Sequence, residues 1–156
     1  MADRIIFPGV GHASITMGSI RTNGLDSLLR EFPRPMLGIC LGMQLLGTHT
    51  EEGPTVGLGL MGFRVKLFQT QLKVPHMGWN SVTNLKGPLF KGIPEGAFFY
   101  FVHSYYAELS PSTIGACNYS NDFAAAVAQG NNYGLQFHPE KSGDAGMEVL
   151  RNFVGL

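Results

Sequence analysis

The sequence predicts an α/β fold: a doubly wound, mostly parallel sheet with an antiparallel extension. Three observations carry that reading. Apolar strand and helix patterns alternate from Arg4 to Leu46, which implies parallel strands joined by helical crossovers. From Gly59 onwards the pattern becomes mostly strands. The chain is 156 residues long, with 44% apolar and only 14% charged residues, so it is about one domain and can bury a sizeable core. No repeat, low-complexity tract or Pro/Gly/Ser-rich linker divides it, and residues 1–156 read as a single domain.

Arg4 to Phe7 reads as a short buried strand, stopped by Pro8-Gly9 and opening onto Val10-Gly11, where small residues let the backbone approach a ligand. Ser14 to Phe32 has helical spacing through Ile15, Ile20, Leu25, Leu28 and Leu29, is interrupted at Asn23-Gly24 and is ended by Pro33. Met36 to Ile39 is a second, fully apolar strand, and Leu41 to Leu46 starts a helix directly after Cys40. The later strands are expected at Phe63–Phe68, Ser81–Val82, Phe98–Val102, Thr113–Cys117, Ala124–Ala128 and Tyr133–Phe137. Asp144 to Val154 reads as a closing amphipathic helix.

Composition excludes several classes of function. Eleven basic and eleven acidic residues balance, with no Lys/Arg cluster to neutralise a row of phosphates, so nucleic acid is not an expected partner. The longest apolar runs, such as Gly96 to Val102, fall far short of the ~20 residues that span a bilayer. The start, Met1 to Pro8, lacks the apolar region and cleavage site of a secretory signal, and a cytoplasmic location is expected. Cys40 and Cys117 make no disulfide framework. His12, His49, His76 and His103 form no ligand spacing with either cysteine, so no metal or cofactor is expected.

The chemistry concentrates at two places. Cys40, in Gly38-Ile39-Cys40-Leu41-Gly42-Met43-Gln44, stands where a parallel strand meets a helix, the position from which such sheets present side chains to a ligand crevice. The flanking glycines make room for a sharp turn like the nucleophile elbow of hydrolases. The helix N-terminus is expected to favour thiolate and lower the thiol pKa, and the Leu41 amide can face a developing oxyanion. Taken alone, such a cysteine is more often a small buried hydrophobe; the flanking glycines and Gln44 reverse that in favour of the catalytic reading. His138 emerges from the strand Leu135-Gln136-Phe137, kept extended by Pro139, and Glu140, two residues on in an extended stretch, points the same way. Nucleophile, base and orienter are the roles these three side chains suit. A lone histidine at a strand end is more often a hydrogen-bonded surface residue, and its pairing with Glu140 is what weighs against that.

Pro8-Gly9-Val10-Gly11, Gly38 to Gln44 and Gln136-Phe137-His138-Pro139-Glu140 together resemble the three signatures of class I glutamine amidotransferases. Pro75-His76-Met77-Gly78-Trp79-Asn80, Tyr100 to Tyr105 and Lys141-Ser142-Gly143 narrow the resemblance to the glutaminase subunits of imidazole glycerol phosphate synthases. The resemblance runs over essentially the whole chain. It implies a flavodoxin-like sheet and hydrolysis of L-glutamine to glutamate and ammonia. The ammonia would pass to a (β/α)8-barrel cyclase subunit, forming a heterodimer, for synthesis of imidazole glycerol phosphate in the histidine pathway.

The same resemblance implies a Cys40, His138, Glu140 triad and an oxyanion hole from the amides of Leu41 and Val10. Reorientation of the Gly9–Val10 peptide is made cheap by Gly9 and Gly11. It assigns substrate binding to Gly9, Gly11, Gln44, Ser104 and Tyr105, although by themselves Ser104 and Tyr105 are ordinary strand-end polar residues. It assigns Trp79, Tyr100 and Lys141 to the cyclase face, although Trp79 taken alone would more often be a core residue. Family members ordinarily begin with a further strand, loop and helix, and without these the strand at Arg4–Phe7 is expected to lie at a bare sheet edge and to invite self-association. Two alternatives stay open: an amidotransferase of this class serving another synthase, and a truncated, non-catalytic binding domain.

Overall fold

The computed structural model describes residues 2–156. In chain order its elements are β1 (Ile5–Gly9), α1 (Ala13–Thr22), α2 (Leu25–Glu31), β2 (Met36–Cys40), α3 (Leu41–Gln44), β3 (His49–Thr50), β4 (Thr55–Val56), β5 (Arg64–Leu67), β6 (His76–Ser81), β7 (Phe98–His103), β8 (Tyr105–Ala107), β9 (Thr113–Tyr119), β10 (Asn121–Gln129), β11 (Asn132–Leu135) and α4 (Gly143–Val154). Short 3-10 turns lie at Pro88–Phe90 and Pro139–Lys141.

The strands form a mixed α/β architecture. A five-stranded sheet has the order β1-β2-β11-β10-β9, with β1, β2 and β11 parallel and β10 and β9 antiparallel. β2 is apolar on both sides because both faces of this sheet are covered. On one face α1, α2 and α3 bring Met17, Ile20, Leu29 and Met43 against Met36 and Val127. On the other, Leu37, Ile39, Leu135 and Phe137 pack against Phe99 and Phe101 of β7 and Val149 and Phe153 of α4. The Phe99 and Phe137 rings stack with centroids 4.1 Å apart. Each such side chain is worth about 1.5–3 kcal/mol of transfer free energy on full burial.

Helix α1 starts where the His12 ring accepts from the Ser14 amide, and it stops at Asn23, after which Gly24 adopts φ 66° before α2. β1 is an edge strand, as expected. The Ile5 amide donates to Pro35 O, so Ile6 and Pro8 turn their backbone outward, and Pro8 has no N–H to offer there.

The structure departs from the expected elements in several places. Among the described residues the parallel run holds three strands, and two smaller sheets, β4-β3-β5-β8 and β6-β7, stand beside it. β3, β4 and β8 are two or three residues long, too short to carry a period in the sequence. β6 begins at His76, well before the expected Ser81, because Gly78 (φ 126°) and mixed polarity break its alternation. α3 ends at Gln44, where the chain turns and the Leu45 carbonyl accepts from the Leu58 amide. β11 stops at Leu135, but the Gln136 amide still donates to Ala125 O and the His138 amide to Tyr100 O. That crossing from main sheet to β7 fixes where His138 leaves the strand.

Candidate active site

Cys40 is the last residue of β2 and caps α3 with φ 54°, ψ −111°, a conformation that side-chain-bearing residues rarely adopt. The strain follows from the crowding around it. A Cβ at Gly42 would lie 1.8 Å from the Phe7 carbonyl oxygen, and one at Gly38 would lie 2.7 Å from Gly42 backbone atoms. Only glycines allow β1, β2 and α3 to close so tightly, and that closure turns the Cys40 sulfur out of the sheet. A cavity of about 410 Å³ opens there, within the size range of small-molecule sites.

His138 lines the same cavity, nearly buried, with its Nδ1 2.8 Å from Glu140 Oε1. The expected extended stretch after His138 is instead a 3-10 turn. Pro139 is preset for a first helical position, and the Lys141 and Ser142 amides donate back to the His138 and Pro139 carbonyls. The turn, not strand alternation, brings Glu140 round to the imidazole. Ser142 locks it: its hydroxyl donates to His138 O at 2.6 Å and accepts from the Tyr100 amide at 2.9 Å. The Cys40 sulfur has its hydrogen-bond contacts elsewhere, with Val102 O at 3.9 Å and Gln136 Nε2 at 3.7 Å.

The expected lowering of the Cys40 pKa does not hold in this state. Burial pushes the thiol up to about 11, the Glu140 and Glu52 carboxylates add to the rise, and hydrogen bonds from the Leu41 amide and Gln136 only partly offset it. α3 has a single turn, too little aligned backbone to overcome that desolvation. Desolvation and the two carboxylates thus favour the thiol over the thiolate in this arrangement.

Val10 and Leu41 line the cavity, as do Gly9, Gly11, Gln44, Ser104 and Tyr105, while Glu140 stands behind His138 and does not line it. Gln44 is anchored through Nε2, which donates to Tyr105 O and Gln136 Oε1, both at 2.9 Å. Its Oε1 is the acceptor left for a ligand. Lys141, expected at the cyclase face, lines the cavity too, and four lining residues had no site expectation: Glu52, Pro75, Val102 and His103. Glu52 sits in a loop with no local pattern and is held by the Ala13 amide at 2.8 Å. His103 belongs to the Tyr100 to Tyr105 stretch, where no spacing to another residue marks it for the site. Gln136 lay in a recognised motif without an assigned role.

Trp79, Tyr100 and Lys141 also come together. Trp79 and Tyr100 are register partners across β6 and β7 with rings 6.2 Å apart, and Lys141 Nζ lies 5.8 Å from the Tyr100 ring centroid. Trp79 is 55% exposed, and Met77 (55%) and Phe98 (59%) share its side of the ribbon. This is an apolar face beside the cavity mouth.

Comparison with known proteins finds that the family model described as glutamine amidotransferase class-I matches residues 1–155. The Bacteroides fragilis protein named imidazole glycerol phosphate synthase subunit HisH is 48% identical over 158 residues, covering 99% of this chain and 81% of its own length. The HisH subunit of Escherichia coli K12 is 49% identical over 159 residues, covering 100% and 81%. The Vibrio vulnificus protein named HisH 1 is 49% identical over 163 residues, covering 99% and 80%. Among solved structures, a glutamine amidotransferase of Thermotoga maritima superposes with a TM-score of 0.65 at 18% identity, covering 98% of this chain and 63% of that one. Another glutamine amidotransferase gives 0.71 at 18%, covering 99% and 80%. These two share the fold.

Proposed function

The chain belongs to the class I glutamine amidotransferase family, and from that premise we propose that it is the glutaminase subunit of an imidazole glycerol phosphate synthase in histidine biosynthesis. Residues 1–156 act as one cytoplasmic glutaminase domain on a flavodoxin-like sheet. The observation that carries the catalytic reading is the meeting, at one cavity, of a cysteine on a strained strand-to-helix turn with a histidine whose other ring nitrogen is held by a carboxylate.

The amide carbon of L-glutamine is attacked by the Cys40 sulfur, the thiol proton passing to His138 Nε2. Glu140 at Nδ1 fixes the tautomer with Nε2 facing the cavity and stabilises the imidazolium. The tetrahedral oxyanion is met by the Leu41 and Val10 amides. Collapse breaks the C–N bond, His138 returns its proton to the departing ammonia, and a thioester remains. Water activated by His138 then cleaves the thioester to glutamate. Gln44 Oε1 and the Glu52 carboxylate suit the α-ammonium group of the substrate, and Ser104, Tyr105, Gly9 and Gly11 bound the rest of its amino-acid end.

Ammonia passes to a (β/α)8-barrel cyclase subunit docked on the face of Met77, Trp79 and Phe98, with Tyr100 and Lys141 at the cavity rim. The test is glutamate release from glutamine by the chain alone and with a cyclase subunit carrying its nucleotide ligand. Release that requires Cys40 supports the proposal; release unchanged in Cys40→Ala refutes it.

A further inference from the structure

We propose that Gln136 is a positioning residue for the reaction, its side-chain amide aimed at the Cys40 sulfur by a buried run of donors and acceptors that the Tyr105 carbonyl orients. The inference deepens the reading of Cys40 as nucleophile and rests on it.

The orientation follows from one atom that can only accept. Tyr105 O receives Gln44 Nε2 at 2.9 Å, so the Gln44 amide nitrogen must face it. The second hydrogen of that nitrogen goes to the Gln136 side chain at 2.9 Å, which makes the receiving atom Oε1. Gln136 Nε2 is thereby turned to Cys40 Sγ, 3.7 Å away. Gln136 is fully buried, so water cannot supply the same donor from its position.

The Tyr105 carbonyl is itself held from the other side. His103 Nδ1 lies 2.7 Å from it and must carry the hydrogen, leaving His103 Nε2 to accept from His76 Nδ1 at 2.9 Å. His76 Nε2 then accepts from Asn80 Nδ2 at 3.3 Å, and Asn80 also donates to Asn118 O at 2.9 Å. Every donor and acceptor in this run agrees with its neighbours. Two neutral imidazoles are required, and burial holds both histidines well below their ordinary pKa.

The chemical consequence lies in the charge on sulfur. Val102 O accepts from the thiol but offers nothing to a thiolate, and the Glu140 and Glu52 carboxylates oppose that charge. Gln136 Nε2 and the Leu41 amide are the groups that favour it. Removing the side-chain donor therefore disfavours thiolate formation and slows attack; Gln44 stays anchored on Tyr105 O, and it loses its Gln136 acceptor only where Oε1 is removed as well.

The test is the pH dependence of Cys40 alkylation by iodoacetamide in the full chain, read by peptide mass spectrometry to separate Cys40 from Cys117. Glutaminase kcat and KM are measured in parallel. Gln136→Met keeps the length and removes the donor; Gln136→Glu keeps the shape and puts a carboxylate oxygen at the sulfur. The expected result is an alkylation midpoint raised by about one to two pH units in Gln136→Met and further in Gln136→Glu. Turnover should fall about tenfold or more in both, with KM within about twofold in Gln136→Glu, which keeps an acceptor for Gln44. If Gln136→Met melts below the assay temperature, the near-isosteric Gln136→Glu decides. A midpoint unmoved in a folded variant of an active parent overturns the role of Gln136 alone. Complete Cys40 alkylation that leaves glutamine hydrolysis intact overturns the nucleophile reading and this inference with it.

Discussion

Replacing Cys40 by glycine should stabilise the fold relative to replacing it by alanine, the reverse of the usual order. Both variants delete the sulfur and its weak contacts with Val102 O and Gln136, so the comparison isolates the backbone. At φ 54°, ψ −111° any residue with a Cβ is strained, at a cost of about 1–3 kcal/mol. Glycine is free of it but loses about 0.5–1 kcal/mol more than alanine through the entropy of the unfolded chain. The difference leaves Cys40→Gly ahead by about 1 kcal/mol. For a chain of this length that is roughly 2–4 °C in melting temperature. Thermal melts and urea titrations of the two variants, with equal m values required for a fair comparison, provide the assay. Cys40→Ala melting level with or above Cys40→Gly would show that the turn stores no strain, and the account of how Cys40 is pushed into the cavity would fail.

Gly42→Ala should destabilise by about 1–3 kcal/mol or more and abolish glutamine hydrolysis, because its Cβ meets the Phe7 carbonyl at 1.8 Å and forces β1 off the elbow; denaturant melts and turnover check both. Ser142→Ala removes the hydroxyl that joins His138 O to the Tyr100 amide, and should cost about 1–3 kcal/mol and lower kcat more than it raises KM. Stability should also fall on acidification. His76 and His103 are held down to about 4 and about 3 from an ordinary 6.5, so below pH 6.5 the unfolded chain takes up two protons that the folded chain refuses. Between pH 6.5 and 5 this removes about 3 kcal/mol, and restores it as pH rises again. His76→Gln should halve that loss in urea titrations at the two pH values, and an unchanged loss would exclude the pair as its cause.

The sequence made the active-site strand and its elbow legible because their constraint is local. Gly38 and Gly42 flank Cys40 at the spacing a crowded strand-to-helix turn needs, and β2 is apolar on both faces because it is covered on both. His138 was legible for the same reason, through the proline that follows it. Of the small sheet β4-β3-β5-β8 only β5 was, inside the expected Phe63–Phe68; β3, β4 and β8 were not, at two or three residues too short to show a repeated alternation. Nor was Glu52, whose place at the cavity depends on a loop meeting the start of α1 through a contact 39 residues apart in the chain.

The sign of the Cys40 pKa was misread for a physical reason that bears on mechanism. Helix-terminus and amide effects can be anticipated from a motif, but desolvation depends on what the rest of the fold packs around the sulfur, and here it is the larger effect. A thiol at about 11 facing a carbonyl is a poor nucleophile at neutral pH, and its hydrogen bonds run to Val102 and Gln136 while His138 is paired with Glu140. On the proposed mechanism, turnover passes through a second arrangement in which the proton moves to His138 and the sulfur keeps only donors, those of Leu41 and Gln136. The elements able to supply that change adjoin the cavity. The Gly9–Val10 turn lies on one side, with Val10 87% exposed, and β7 carries Val102 on the other, behind the exposed face of Trp79. A cyclase docked on that face, as proposed, would press on the strand whose carbonyl holds the thiol, so Trp79→Ala should weaken any stimulation of glutamate release by the cyclase while leaving the alkylation midpoint of the isolated chain unchanged. A shifted midpoint in the isolated variant would mean that Trp79 sets the resting site directly, without a partner.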